Sequence, residues 1–205
     1  MTTADLAAPP TLRSLPEYRR WLIGDLCLDI GTGIGMFAFP LITFMVTGSL
    51  GATGLVGLVQ GLGSLAGMIP GGLLADRCER RRLRLLAGLT GMLIQAVLIA
   101  VLAMGWGSLV ALAVLAFVDR LRGALLGAAS NAMLKQIVPP ALLPRAFAVN
   151  EGREAAVEMG SGPLGGALLG ISILFPPLAQ LLGNAVSRCS SSRAWCARST
   201  RRASR

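Results

Sequence analysis

Five stretches of this chain are each long and apolar enough to cross a bilayer as a helix, which takes about 20 residues. They run about Trp21–Val46, Leu50–Ala75, Leu85–Met104, Ser108–Asn131 and Ala155–Phe175. Lipid supplies no partner for a backbone N–H or C=O, so only helices and closed barrels can span it. None of these runs alternates apolar and polar residues, which argues for helices over barrel strands. The expected fold is all-α: a polytopic transmembrane bundle of about five helices.

Composition agrees. The 205 residues are 54% hydrophobic and only 14% charged, where soluble domains carry about a quarter charged residues. Glycine is abundant, at 26 residues, as in membrane helices whose backbones pack closely. A net charge of +9 could mean nucleic acid, but the basic residues cluster between apolar runs, where cytoplasmic loops would lie. The partner to expect is the lipid bilayer, not nucleic acid. Cys27, Cys78, Cys189 and Cys196 have no metal-ligand or redox spacing, and there is no histidine. Neither a metal nor another cofactor is expected. No nucleophile–base pair stands out either, so an enzyme is not expected.

Charge also sets orientation. The connections near Gly48–Gly51 and Gly105–Gly107 carry no Lys or Arg. The N-terminal tail has Arg13, Arg19 and Arg20, and the second-to-third connection has Arg77, Arg80, Arg81, Arg82 and Arg84. The fourth-to-fifth connection has Lys135, Arg145 and Arg153. Alternating spans place all the basic segments on one side, so the N-terminus (residues 1–20) is expected in the cytoplasm of a multi-pass inner or plasma membrane protein. Arg19 and Arg20 precede an apolar run as in a signal peptide. That run is too long for one and contains Asp25 and Asp29, so it is read as a retained first helix.

Two spans carry glycine at spacing four: Gly63, Gly67 and Gly71 in the second, Gly162, Gly166 and Gly170 in the fifth. Such stripes make a groove for a neighbouring backbone. They suit helices that rock against each other, or equally static close packing. Charges within spans are costly and tend to mark pathways. Asp25 and Asp29 lie one turn apart in the first span, Asp119, Arg120 and Arg122 lie in the fourth, and Glu158 lies early in the fifth. Asp29 or Asp119 is the candidate proton-coupling carboxylate, paired with Arg120 or Arg122. Alternatively, Asp119, Arg120 and Arg122 form a structural ion-pair cluster. Asp25 and Glu158 are expected merely to reach the cytoplasmic interface.

After the second span come Gly72, Asp76-Arg77 and Arg80-Arg81-Arg82. This segment resembles the signature loop of the major facilitator superfamily (MFS), Gly-x-x-x-Asp-Arg-x-Gly-Arg-Arg, with Glu79 where the family usually has glycine. Further along, Asn131, Lys135, Val138-Pro139-Pro140, Leu143-Pro144-Arg145-Ala146 and Asn150-Glu151 are similar to the drug and siderophore exporter branch. So are Gly31, Gly33 and Gly35 with Phe39-Pro40-Leu41 and Thr47-Gly48-Ser49. Two features depart from that branch. Gly162-Pro163-Leu164-Gly165-Gly166 is one residue shorter between proline and glycine, and the single arginine of the fourth helix falls on either Arg120 or Arg122. The resemblance implies secondary-active, proton-coupled efflux of a small molecule. It also implies a conformational latch formed by Gly72, Asp76, Arg77, Arg80 and Arg81.

The resemblance covers the N-terminal half of such a transporter, so residues 21–175 are expected to be that half's bundle, cut short. Pro176-Pro177 is expected to interrupt the fifth helix, leaving Leu178–Val186 too short to span. Residues 176–205, basic and without an acidic residue, are expected to be an atypical tail from a shifted or early-ending reading frame. One half encloses no cavity between halves. A complementary C-terminal half or a second copy is therefore the expected partner, and the alternative is a fragment that does not transport.

Overall fold

The computed structural model describes residues 16–188, apart from certain side chains among them. They form α1 (Pro16–Thr47), α2 (Leu50–Arg77), α3 (Arg80–Ala103), α4 (Leu109–Ile137) and α5 (Leu143–Ile171). A short 3-10 turn, Pro140–Leu142, precedes α5, and a further helix, α6, occupies residues 175–188. There is no strand among the described residues. Trp21–Thr47, Leu50–Leu74 and Arg82–Ala103 are each long and apolar enough to cross a membrane. The 29 residues of α4 also exceed what a bilayer needs, but that helix carries Asp119, Arg120 and Arg122 at its centre.

Local chemistry fixes the turns. Gly48 and Gly105 sit at φ 65° and 71°, the left-handed region in which a side chain is strained. Each is followed by a serine N-cap. Ser49 Oγ accepts from the Ala52 N–H at 3.3 Å, and Ser108 Oγ accepts from the Ala111 N–H at 3.2 Å. These caps satisfy amides that a helix start leaves unpaired. Pro40, Pro70 and Pro163 lie within helices, which membrane helices tolerate because neighbouring groups satisfy the freed carbonyls.

Three boundaries differ from the sequence expectation. The fourth helix runs on to Ile137, and the fifth begins at Leu143 instead of near Ala155. Arg145 and Arg153 are therefore helical, as Arg84 is in α3. The cause is that hydropathy registers only the apolar part of a helix that extends past the hydrocarbon. Pro176-Pro177 does not interrupt the fifth helix, which has already ended at Ile171. The two prolines lie in the first turn of α6, where a missing N–H goes unnoticed. Residues 175–188 are thus part of the bundle and not of a tail, and residues 189–205 lie outside the described residues.

Packing is governed by small residues. α2 lies along α4, α1 along α5, and α3 also against α4. A Cβ built on Gly63 would come within 2.8 Å of the Phe117 carbonyl, and one on Gly67 within 2.8 Å of the Leu121 carbonyl. On Gly71 it would fall 2.6 Å from the Ala124 carbonyl. Only glycine permits that approach. The α5 stripe behaves differently. Gly162 meets the Phe37 ring, but nothing lies within 4 Å of a Cβ at Gly166 or Gly170. The packed face of α5 is instead Ser161, Gly165 and Leu169. α6 packs through Gly183, whose Cβ would fall 2.5 Å from the Cys27 carbonyl of α1.

Two apolar clusters close the bundle. One joins Phe39 and Ile42 of α1 with Val56, Leu98 and Leu112. The other joins Tyr18, Trp21, Leu134, Val138 and Ala146 at the opposite end. Between them the interior turns polar.

Candidate functional site

The polar interior begins on α1. Asp25 and Asp29, four residues apart, share a helix face, and arginines from two other helices meet them there. Arg84 of α3 pairs with Asp25 at 3.1 Å. Arg153 of α5 pairs with Asp25 at 2.6 Å and with Asp29 at 2.7 Å. Asn150 accepts from Arg153 at 2.8 Å and donates to Glu154 at 2.6 Å. Both guanidinium groups also lie about 6 Å from the Trp21 ring (5.9 Å for Arg84 and 5.8 Å for Arg153), within cation–π reach. Burial raises the pKa of the nearby Tyr18 hydroxyl, with the charge of Arg153 pulling the other way.

Burial separates the two carboxylates. The Asp25 side chain is 5% exposed and that of Asp29 28%. Asp25 is therefore not an interface residue but the buried hub of a three-helix ion network. Sequence reasoning missed this, having placed Arg84 and Arg153 in loops. The available signal was the pair of carboxylates on one face of an apolar helix, which calls for counter-charges nearby. Glu158 is exposed on α5.

A second charged group lies on α4. Asp119 accepts from Arg122 at 3.0 Å, and the same guanidinium donates to the Ala87 carbonyl of α3 at 2.7 Å. Both residues are buried, at 4% and 7% exposure. The expected partnership of Asp29 or Asp119 with Arg120 or Arg122 is thus realised only within α4, as Asp119–Arg122. Asp29 turns to Arg153 instead. Arg120 points elsewhere, its Nη2 lying 3.7 Å from the Met36 sulfur of α1.

Between these groups opens a cavity of about 250 Å³, lined by residues of α1 to α4. Its polar walls include Asp29, Thr32, Ser64, Arg84, Arg120 and Arg122. Leu28, Ala87, Ala124 and Leu126 supply apolar surface. Asp29 is therefore in contact with both the ion network and the cavity.

A polar layer that the sequence did not announce joins α3 to α6. Gln95 of α3 donates to Gln180 of α6, and Asn184 donates to the Gln180 carbonyl at 2.9 Å. Gly35 and Gly91 make room for it, since a Cβ on Gly35 would collide with Gln180 and one on Gly91 with Asn184. In the expected latch segment, Gly72 and Arg77 are exposed at the end of α2. The side chains of Asp76, Arg80 and Arg81 lie outside the described part of the structure.

A family model described as Major Facilitator Superfamily matches residues 21–187. Comparison with curated proteins and with solved structures returns no match.

Proposed function

Since the chain belongs to the Major Facilitator Superfamily, a family of transporters, we propose that it takes part in secondary-active, proton-coupled efflux of a small molecule, with Asp29 as the coupling carboxylate. The observation that carries this reading is the double exposure of Asp29. It pairs with Arg153 on one side and lines the cavity on the other.

The chemistry follows from that position. Ionised, Asp29 and Asp25 both hold Arg153, which ties α5 to α1. Protonating Asp29 removes one of those two attractions and loosens the contact. A cationic group entering the cavity competes with the proton for Asp29, so binding of one favours release of the other. Asp119 is less suited to this role, because its carboxylate is buried against Arg122. The Asp119–Arg122 pair serves structure, fixing α4 to the Ala87 carbonyl of α3. In this reading the N-terminus is cytoplasmic in the inner or plasma membrane, and Gly72, Asp76, Arg77, Arg80 and Arg81 form the latch between states. Removing Arg84 and Arg153 from the loops leaves the charge bias intact, because Arg77, Arg80, Arg81 and Arg82 remain at the α2–α3 connection.

The test uses everted membrane vesicles from cells producing the full chain. Radiolabelled benzyltrimethylammonium, a permanent cation, is supplied outside and the lumen is acidified. The expected result is uptake that collapses with the pH gradient and is lost in Asp29→Asn. Gradient-driven uptake that persists in Asp29→Asn would falsify the reading.

A second reading is a subunit that works only beside another chain, either a complementary half or a second copy. It draws support from α5, where Gly166 and Gly170 lie open and Met159 and Ile171 are 81% and 70% exposed. In that case uptake appears only when the partner is co-expressed.

A further inference from the structure

Three arginines line the cavity, and two are already engaged by acids. Arg84 faces Asp25, and Arg122 faces Asp119. Arg120 forms no ion pair with any described carboxylate. Its Nη2 lies against the Met36 sulfur, a weak acceptor that leaves most of a guanidinium's five donors unused. An arginine within a span is costly unless something answers its charge. The space around it is open. Gly123 and Gly127, in the same wall of α4, would meet nothing within 4 Å if given a Cβ.

Arg120 and Asp29 are therefore two separate charged points in the cavity wall. Asp29, Thr32 and Met36 fall at spacings of three and four on α1, hence on one face. Arg120 reaches that face at the level of Met36 and Asp29 marks its other end. Seven residues of helix, at 1.5 Å each, separate the two levels by roughly 10 Å. Apolar surface from Leu28, Ala124 and Leu126 lies along the cavity.

We propose that the cavity takes an organic zwitterion, whose anionic group sits on Arg120 and whose cationic group sits on Asp29, with an apolar body between. The proposal rests on the reading of Asp29 as the coupling carboxylate and adds to it a second recognition point and a substrate class. Binding then exchanges charge cleanly. The ligand's cation replaces the proton of Asp29, the proton leaves to solution, and the ligand's anion is held by a guanidinium that pairs with no acid among the described residues. A bidentate guanidinium–carboxylate pair gives orientation as well as affinity.

The test measures binding to the purified full chain in nanodiscs, with empty nanodiscs as the blank. The probes share one body: 6-(trimethylammonio)hexanoate, hexyltrimethylammonium and hexanoate. The zwitterion is expected to bind at least about tenfold tighter than either singly charged probe, since it alone makes both charge-assisted contacts. Arg120→Gln should abolish the zwitterion's advantage over hexyltrimethylammonium. Arg120→Lys should restore part of the difference, which separates recognition from misfolding, and Gly127→Leu should exclude all three probes by filling the cavity. Equal affinity for zwitterion and cation, no saturable zwitterion binding, or no effect of Arg120→Gln overturns the proposal. Proton release into weak buffer, recorded in the same titration, isolates the underlying reading. Release on binding the cation, lost in Asp29→Asn, with Arg120 irrelevant, leaves Asp29 coupling standing and removes the zwitterion. Arg120-dependent binding with no release from the Asp29 carboxylate does the reverse.

Discussion

Asp25 and Asp29 are the same residue type on the same helix face, yet their surroundings assign them different work. Asp25 holds two arginines in a buried network. Removing its charge breaks two buried pairs, with Arg84 and with Arg153, although Arg153 keeps Asp29, and breaking a buried pair costs about 3–5 kcal/mol. Asp29 is partly open to the cavity, and losing its share of Arg153 costs roughly 1 kcal/mol, as for accessible ion pairs. Asp25→Asn is therefore expected to lower the apparent Tm of the detergent-purified chain markedly, and Asp29→Asn only slightly. Heating series analysed by size-exclusion chromatography give the comparison, and a larger loss for Asp29→Asn would contradict the assignment. At this scale the sequence was half legible. Intramembrane carboxylates on one face of the first helix were visible as candidates, and Asp119 and Arg122 do pair. A lone sequence does not say which loop arginines fold back, because Arg84 and Arg82 look alike until α3 is placed. In the structure Arg84 is buried against Asp25, while Arg82 pairs with Glu79 on the surface.

For the helices, the same spacing had two outcomes. The glycines of α2 and α5 both recur every four residues, but only those of α2 face a neighbouring backbone throughout. Gly67→Val must push α4 away and costs about 1–3 kcal/mol, the usual penalty of overpacking. Gly166→Ala has open space around it and gains roughly 0.5–1 kcal/mol from reduced backbone freedom. Opposite shifts in apparent Tm are the expected outcome; a gain in both would show that the α2 stripe is not a close contact, and a loss in both that Gly166 is not in open space. Periodicity marks a face; it does not say what lies opposite. The ends of α4 and α5 were misplaced for a related reason. Hydropathy follows the solvent, whereas helical hydrogen bonding continues into the interface until Pro139-Pro140 stops it.

For the molecule as a whole, the all-helical fold and the family were legible from apolar run length and the Asp76-Arg77 region. Membership follows from the match over residues 21–187. Less legible was α6, whose Gln180, Asn184 and Ser187 are buried against the bundle although its sequence is short and proline-led. Orientation has its own check in Cys78, exposed between α2 and α3. With Cys27, Cys189 and Cys196 changed to serine, a membrane-impermeant maleimide should label Cys78 in everted vesicles and not in intact cells. Labelling from the outer side would invert the topology and place the basic connection against the positive-inside rule.

The proposed exchange of a proton for a cationic group at Asp29 has a direct readout: benzyltrimethylammonium is titrated into the purified full chain in weakly buffered solution while pH is recorded. The wild-type chain is expected to release protons in proportion to the cation bound, and Asp29→Asn is expected to release none. Equal release from both, or binding by wild type with no release, would rule out exchange at Asp29.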